Sequence, residues 1–419
     1  MEAFLIHGSN RIKGEYCVHN AKNAVLPIMA ASILTEERTI LRDCPDLSDI
    51  RNMADILRSL GCRVDVKKPE MIIDPQGLNS HEMPDGLAKK LRSSIFMLGP
   101  ILARFRKAAV TFPGGCEIGL RPIDLHLRGL MQLNARVQNI GGVIHCDGQH
   151  MTAGNVHFDY PSVGATENIM MAAVLLKGKT VLYNAAREPE IIDLQNFLNA
   201  MGACVSGAGS NTIEIHGVKR LKGIDYVPMP DRIVAGTLLA AAAVTRGSIR
   251  LTNAPVEEIM AVITKLEEMG CIIRSSEKTI TLHAPEKLSA FSQLQTQPYP
   301  GFPTDMQAQM MAISTLAKET SVVVENVFEN RFAHAGDLNR MGARILLNGR
   351  TAVIHGVDKL HGTTVTARDL RGGAALTIAG LAAEGQTIVE HAELIDRGYD
   401  HLEDAFCALG CDVRRITLP

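Results

Sequence analysis

Aromatic residues make up only 4% of the chain, tryptophan is absent, and no basic stripe with interleaved aromatics occurs. That composition argues against an RNA-processing role. A membrane-spanning helix needs roughly 20 consecutive apolar residues, and the longest apolar runs, such as Leu238–Val244, fall far short. The opening stretch MEAFLIHGSNRIKG has no charged segment followed by an apolar one, so no signal peptide is expected. No C-x-x-C pair exists and the nine cysteines are odd in number, which signals neither a disulfide framework nor a zinc site. Reduced thiols in a cytoplasmic protein are the expectation. Net charge is −2, so no global field recruits nucleic acid or an anionic membrane, and any anion site must come from local clusters of Lys and Arg.

What is present fits an ordinary globular protein. Of 419 residues, 46% are hydrophobic and 21% charged, enough for two or three domains with substantial cores. Internal repetition is the strongest pattern. Ile6-His7-Gly8 followed by Arg11-Ile12-Lys13-Gly14 matches Ile215-His216-Gly217 followed by Arg220-Leu221-Lys222-Gly223, and again Ile354-His355-Gly356 with Leu360 and Gly362. The chain thus divides into two related halves. Each half divides by three: amphipathic helices stop at Gly61, Asn134, Gly202, Gly270, Gly342 and Gly410, spaced 68 to 73 residues apart. Glycine, or asparagine as second choice, ends a helix because it accepts positive φ.

Before the first stop, Ile50, Met53, Ala54, Leu57 and Leu60 make one apolar stripe. A short strand precedes each such helix: Thr39–Arg42, Ala109–Phe112, Thr180–Tyr183, Ser248–Leu251, Val322–Glu325 and Thr387–Glu390. A second helix, apolar almost all round and therefore interior, precedes each strand: Ala24–Leu34, Ile95–Ala103, Asn168–Leu176, Val234–Val244, Met306–Leu316 and Ala374–Ala383. The expected fold is α/β, with pseudo-threefold halves of buried helices inside sheets and outer helices. Pro228 and Pro230 suit the crossover between halves, and a cleft between two packed domains is the expected active site.

Chemistry is expected where one repeat departs from the others. The second repeat links its strand to its outer helix through Pro113-Gly114-Gly115-Cys116-Glu117-Ile118-Gly119-Leu120-Arg121-Pro122-Ile123-Asp124-Leu125. A thiol with a nearby cation on an exposed loop is a candidate reactive group, although a loop with an incidental cysteine has the same composition. The starts of the buried helices hold Lys22-Asn23, Arg92, Ser162 with Gly164, Asp231-Arg232, Asp305, and Asp369-Leu370-Arg371. Helix N-termini attract anions. Taken singly each residue also has a structural reading, and Asp305 suits a helix cap as well as a base. Arg397, in Ile395-Asp396-Arg397-Gly398-Tyr399, adds another cation.

At these residues the chain resembles, essentially end to end, the UDP-N-acetylglucosamine 1-carboxyvinyltransferase family of enolpyruvyl transferases. The matching stretches are Ala21-Lys22-Asn23-Ala24, Arg92-Ser93-Ser94, Pro113-Gly114-Gly115-Cys116 with Arg121-Pro122-Ile123-Asp124, and Pro161-Ser162-Val163-Gly164-Ala165-Thr166. They continue through Glu188-Pro189-Glu190, Pro303-Thr304-Asp305-Met306-Gln307, Val327-Phe328-Glu329-Asn330-Arg331, Asp369-Leu370-Arg371 and Asp396-Arg397-Gly398-Tyr399.

The resemblance implies a two-domain inside-out α/β barrel built from six repeats. Residues 22–229 would carry the Cys116 loop; residues 1–21 plus 230–419 would carry Asp305, Arg371 and Arg397. It implies transfer of the enolpyruvyl group of phosphoenolpyruvate to UDP-N-acetylglucosamine, the first committed step of peptidoglycan synthesis, and with it a place in cell-wall growth, cell shape and division. Cys116 would be the proton donor, able to add covalently to substrate and to be alkylated by the epoxide fosfomycin. Asp305 would take the sugar hydroxyl proton. Lys22, Asn23, Arg121, Arg371 and Arg397 would hold phosphoenolpyruvate, with Lys22 and Arg397 also catalytic. Arg92, Arg121, Pro122, Ile123, Asp124, Leu125, Ser162, Val163, Gly164, Asp305 and Val327 would contact the nucleotide sugar. No cofactor or metal is expected, and the partners are small-molecule substrates, not nucleic acid or membrane. Two departures stand out: Tyr160 where relatives carry a lysine, and Val234 where an acid is common. The alternatives are a non-catalytic UDP-sugar-binding regulator and the sister transferase acting on shikimate 3-phosphate, whose Gly-Asn-Ala-Gly-Thr stretch is absent.

Overall fold

The computed structural model describes residues 1–8, 10–111 and 123–419. They form two compact units. One comprises the described residues between Asn20 and Met229; the other comprises Met1–His19 with Pro230–Pro419. Each has its own hydrophobic core.

Six helices occupy those cores: α1 (Lys22–Ala31), α2 (Leu98–Phe105), α3 (Val163–Ala173), α4 (Arg232–Val244), α5 (Gln307–Ser314) and α6 (Leu370–Ala382). Every residue of α4 is buried. In the second unit α4, α5 and α6 pack against one another. In the first, α2 packs on α3, and α1 meets a short 3-10 turn, Arg92–Met97. Hydroxyls on such helices cannot reach water, so they turn back on the helix. Ser32, Thr237, Thr245, Ser314 and Thr377 each donate to the carbonyl four residues earlier.

Several helices begin up to a turn before the apolar runs. Helix α3 starts at Val163 and α6 at Leu370, because a polar cap followed by a first turn that includes glycine does not register in a hydrophobic pattern. Ser162, Asp231 and Asp369 accept backbone N–H groups at the starts of α3, α4 and α6. The stretch expected as one helix from Ile95 divides into the 3-10 turn Arg92–Met97 and α2, with Pro100 in the first turn of α2, where its missing N–H costs nothing.

After each core helix comes a central strand, which pairs antiparallel with one strand, in five of the six sheets a strand of a hairpin, and in parallel with a short segment from elsewhere in the unit. The first unit has sheets centred on Thr39–Arg42, Lys107–Thr111 and Lys179–Tyr183. In the sheet of Lys107–Thr111, the parallel neighbour shrinks to a single bridge between Glu82 and Ala109. The second unit has sheets centred on Ser248–Thr252, Thr320–Val324 and Gln386–Glu390. Gln386–Glu390 pairs with Glu2–His7, which in turn pairs with Asp412–Thr417, so the two ends of the chain complete one sheet. Lys13–Cys17 likewise joins Ser248–Thr252 in parallel. No described helix is long and apolar enough to cross a membrane.

All six predicted helix stops have positive φ: Gly61 at 105°, Asn134 at 66°, Gly202 at 101°, Gly270 at 96°, Gly342 at 99° and Gly410 at 89°. The repeated Ile-His-Gly has a different cause. At Gly8, Gly217 and Gly356 the chain leaves a strand against the backbone near the end of a core helix. A Cβ there would lie 1.8, 1.5 and 1.8 Å from the carbonyl oxygens of Ala383, Leu176 and Ala317. No side chain fits, whatever the backbone angles allow.

The two causes can be separated within one unit. Gly202→Ala meets nothing within 4 Å and suffers only its φ, about 1–2 kcal/mol. Gly217→Ala has an ordinary φ but must displace the Leu176 carbonyl, so it is expected to destabilise more, by the overpacking scale of about 1–3 kcal/mol or above. Urea unfolding of both variants measures the difference; a Gly217→Ala as stable as Gly202→Ala would refute the close-approach account.

Candidate active site

In the second unit, a 3-10 turn, Thr304–Met306, leads into α5. Pro303 occupies the N-cap position there with no side-chain cap bond, so Asp305 is not the capping residue. Its carboxylate serves two guanidiniums instead. Oδ1 accepts from Arg331 Nη2 at 2.7 Å and Oδ2 from Arg371 Nη2 at 3.2 Å. The arginine side chains are 3% and 4% exposed and the aspartate 28%. Arg331 lies over the Phe328 ring and Arg371 over the Tyr399 ring, at 5.2 and 5.4 Å from the ring centroids. Burial alone would push the Arg371 guanidinium down, but Asp305, Tyr399 and Asp231 outweigh it and hold the group above its ordinary value.

Two cations here face one carboxylate. Nε and Nη1 of both arginines are buried with no hydrogen-bond partner among the described residues. Buried donors without acceptors are costly. The chemistry that suits them is a second anion with oxygens in a plane, since the guanidinium fork matches carboxylate and phosphate.

Lys22 opens α1 in the first unit. Its Nζ lies 3.2 Å from Asp49 Oδ2, with the side chains 12% and 2% exposed. Asn23 follows it in the first turn, half-buried. Ser162 caps α3, its Oγ accepting from Ala165 N at 3.4 Å. Val163 is half-buried, and Gly164 sits so close that a Cβ would be 3.1 Å from both His126 Cε1 and Phe96 Cε1. Ile123 is buried, Asp124 opens the helix Asp124–Gln132, and Leu125 is half-buried. Val327 donates its N–H to Glu325 Oε1 at 2.8 Å. Arg397 is half-buried, in the turn between Ala392–Ile395 and Leu402–Ala408, beside an Asp396 held by Arg415 at 3.0 and 2.7 Å. Cys116, Arg121 and Pro122 lie outside the described residues, as does the side chain of Arg92. Tyr160 is 45% exposed, whereas Val234 is buried within the core.

The structure therefore joins Asp305 to Arg371, both expected, and to Arg331, which sequence reasoning quoted in Val327–Arg331 without giving it a role. Asp49 was also passed over; an acid in the first turn of Ser48–Ser59 looks like an ordinary helix-dipole partner.

His334 lies behind this cluster, buried, with neither ring nitrogen partnered among the described residues. Burial pushes its pKa down to about 4, helped by Arg331 and opposed by Asp369 and Asp337. Between the unfolded value near 6.5 and about 4, the unfolded chain binds a proton that the folded chain refuses. Stability due to this group is therefore complete above pH 6.5 and falls as pH drops, by at most roughly 1.4 kcal/mol per pH unit. In urea unfolding, the stability advantage of the native chain over His334→Leu should shrink from pH 7 to pH 5. An advantage that does not change with pH would show that His334 titrates normally.

A family model described as EPSP synthase (3-phosphoshikimate 1-carboxyvinyltransferase) matches residues 6–406. The chain is 50% identical over 416 residues to UDP-N-acetylglucosamine 1-carboxyvinyltransferase 2 of Caldanaerobacter subterraneus subsp. tengcongensis, covering 99% of this chain and 100% of that one. It is 48% identical over 419 residues to the UDP-N-acetylglucosamine 1-carboxyvinyltransferase of Cellvibrio japonicus, covering 99% and 100%. Among solved structures, the enolpyruvyl transferase NikO from Streptomyces tendae superposes with a TM-score of 0.90 at 22% identity, covering 100% of this chain and 99% of that one. EPSP synthase from Acinetobacter baumannii gives 0.75 at 18%, covering 100% of both. At such identities the structures establish the α/β fold alone. Identity near one half over the full length establishes more: the chain belongs to the UDP-N-acetylglucosamine 1-carboxyvinyltransferases, within the enolpyruvyl transferases.

Proposed function

We propose that the protein transfers the enolpyruvyl group of phosphoenolpyruvate to the 3′-hydroxyl of UDP-N-acetylglucosamine and releases phosphate, a cytoplasmic step and the first committed one of peptidoglycan synthesis. The relatives named for that activity support the substrates. The observation that carries the chemistry is the carboxylate of Asp305 between two buried guanidiniums with unused donors. In this reading each half of the chain, residues 22–229 and residues 1–21 plus 230–419, is an inside-out barrel of three repeats.

The reaction is an addition followed by an elimination. In the addition, the sugar oxygen bonds to C2 of the enol, its proton passes to Asp305, and the methylene carbon takes a proton from Cys116. In the elimination, the bond from C2 to the phosphate oxygen breaks, the new methyl group returns a proton to the Cys116 thiolate as the C=C bond re-forms, and phosphate leaves with the bonding pair. A positioned acid and base are each worth ~10²–10⁴ in rate. Arg371 and Arg397 hold the carboxylate of phosphoenolpyruvate, and Arg331 adds donors beside them. Lys22, Arg121 and Arg397 stabilise the departing phosphate, and Asn23 hydrogen-bonds the reacting centre. Arg92, Arg121–Leu125, Ser162–Gly164 and Val327 contact the nucleotide sugar. No step calls for a metal or cofactor.

The description of the matching family model favours a second reading, in which shikimate 3-phosphate is the acceptor. Phosphate release separates the two. Release should need both phosphoenolpyruvate and UDP-N-acetylglucosamine, and should not occur with shikimate 3-phosphate; the reverse pattern would overturn the assignment. Cys116→Ser should lower the rate at neutral pH by at least the ~10²–10⁴ of a lost general acid, and unchanged turnover in that variant would remove the mechanism.

Fosfomycin offers a test independent of turnover. A phosphonate-bearing epoxide that mimics phosphoenolpyruvate should be opened by the Cys116 thiolate, forming a C–S bond and leaving an alkoxide that takes a proton. Intact-mass analysis should find one adduct on the native chain and none on Cys116→Ser. No adduct on the native chain counts against a reactive thiol.

A further inference from the structure

We infer that Glu325 is a positioning residue for this reaction, holding Asp305 and Arg331 in register from behind; the inference rests on the base role proposed for Asp305. Glu325 is 1% exposed, and its carboxylate accepts four hydrogen bonds from neutral donors. Oε1 accepts from Thr296 Oγ1 at 2.8 Å, Val327 N at 2.8 Å and Phe328 N at 3.0 Å. Oε2 accepts from Thr304 Oγ1 at 2.9 Å. One carboxylate thus grips the residue directly before Asp305 and the start of the turn that ends at Arg331.

The position of Glu325 in the repeat marks it as unusual. Asp43, Asn184, Asn253 and His391 directly follow the central strands Thr39–Arg42, Lys179–Tyr183, Ser248–Thr252 and Gln386–Glu390, and all four have positive φ, between 48° and 60°. Glu325 directly follows Thr320–Val324 and is not among the positive-φ residues. There the chain turns without the left-handed residue, and the buried carboxylate takes over the task of directing it. This is the repeat whose core helix begins beside Asp305.

A carboxylate suits the task because each oxygen accepts more than one bond, and acceptance from backbone N–H fixes the turn more firmly than a hydroxyl would. An ionised group buried among neutral donors is tolerated only where those bonds are all made. Any shift of Thr304 or of Val327 would leave part of the charge unsatisfied. Glu325 is enclosed by its four protein donors and 1% exposed, so it acts through Asp305.

Steady-state kinetics and a double-mutant cycle test it. Thr304→Val removes one hydroxyl at nearly constant volume and so guards against the case in which Glu325→Ala fails to fold. Thr304→Val should lower kcat by up to about 10²-fold, the scale of a small misplacement of a catalytic group, with both KM values moving by less than about twofold. Thr304→Ser, which keeps the hydroxyl, should recover most of that loss. In an Asp305→Asn background, adding Thr304→Val should change the residual rate by less than about twofold, because the group it positions is already gone. An equal loss in both backgrounds, no loss in either, or a serine variant as slow as the valine one would overturn the inference. Full turnover in Asp305→Asn alone is a different result: it would overturn the base role of Asp305 itself, and the inference with it.

Discussion

Two guanidiniums nearly out of reach of water, and the partly exposed carboxylate they share, set the terms for the second unit. Taking charges out of water costs several kcal/mol per ion even after relaxation, and one aspartate cannot satisfy two arginines. Asp305 neutralises part of the charge, and two nitrogens on each arginine still lack an acceptor among the described residues. Such a cluster persists only where the surroundings hold it. Arg371 is fixed by the first turn of α6, Asp305 by the turn before α5, and Arg331 by the turn tied to Glu325. The apolar packing of α4, α5 and α6 is the framework for all three. Unpartnered donors of this kind are what a second anion would satisfy.

Much of that framework was legible in the sequence. The six helix stops could be read because positive φ favours Gly, with Asn next, so the same letter tends to recur where the same helix-ending turn does. The Ile-His-Gly repeat was also visible, but its cause was not. Nothing in the letters says that a carbonyl of Leu176 or Ala383 lies where the glycine Cβ would be. Helix interiors were readable from the apolar runs, and helix starts were less so, because each is set by a single polar cap whose bonds are local.

The site was legible in its parts more than in its pairings. Asp305 and Arg371 could be suspected from their places at helix starts, but their meeting joins residues 66 apart. Arg331 bonds across 26 positions and Lys22 across 27. A sequence gives the position of each residue along its own element, whereas an ion pair depends on how elements pack. The same limit hid Glu325, an unremarkable acid at a strand end until four donors converge on it. For Asp305 the sequence left cap and base equally open, and the pairing with two arginines decides against the cap.

The helix starts carry a further regularity. Helices α3, α4 and α6 have their first amides satisfied by their own side chains, those of Ser162, Asp231 and Asp369. Helices α1, α2 and α5 have no side-chain cap. The candidates for catalytic roles Lys22 and Asp305 stand at two of these three uncapped starts, where an internal cap would occupy the space and the positive end of the helix that an anion needs. Capping stabilises a helix by about 1 kcal/mol, so leaving three ends without it costs stability that the closed ends do not. Six near-copies of one unit thus differ at their starts: three ends are closed by their own side chains and three are not, and Lys22 and Asp305 stand at two of the open ones.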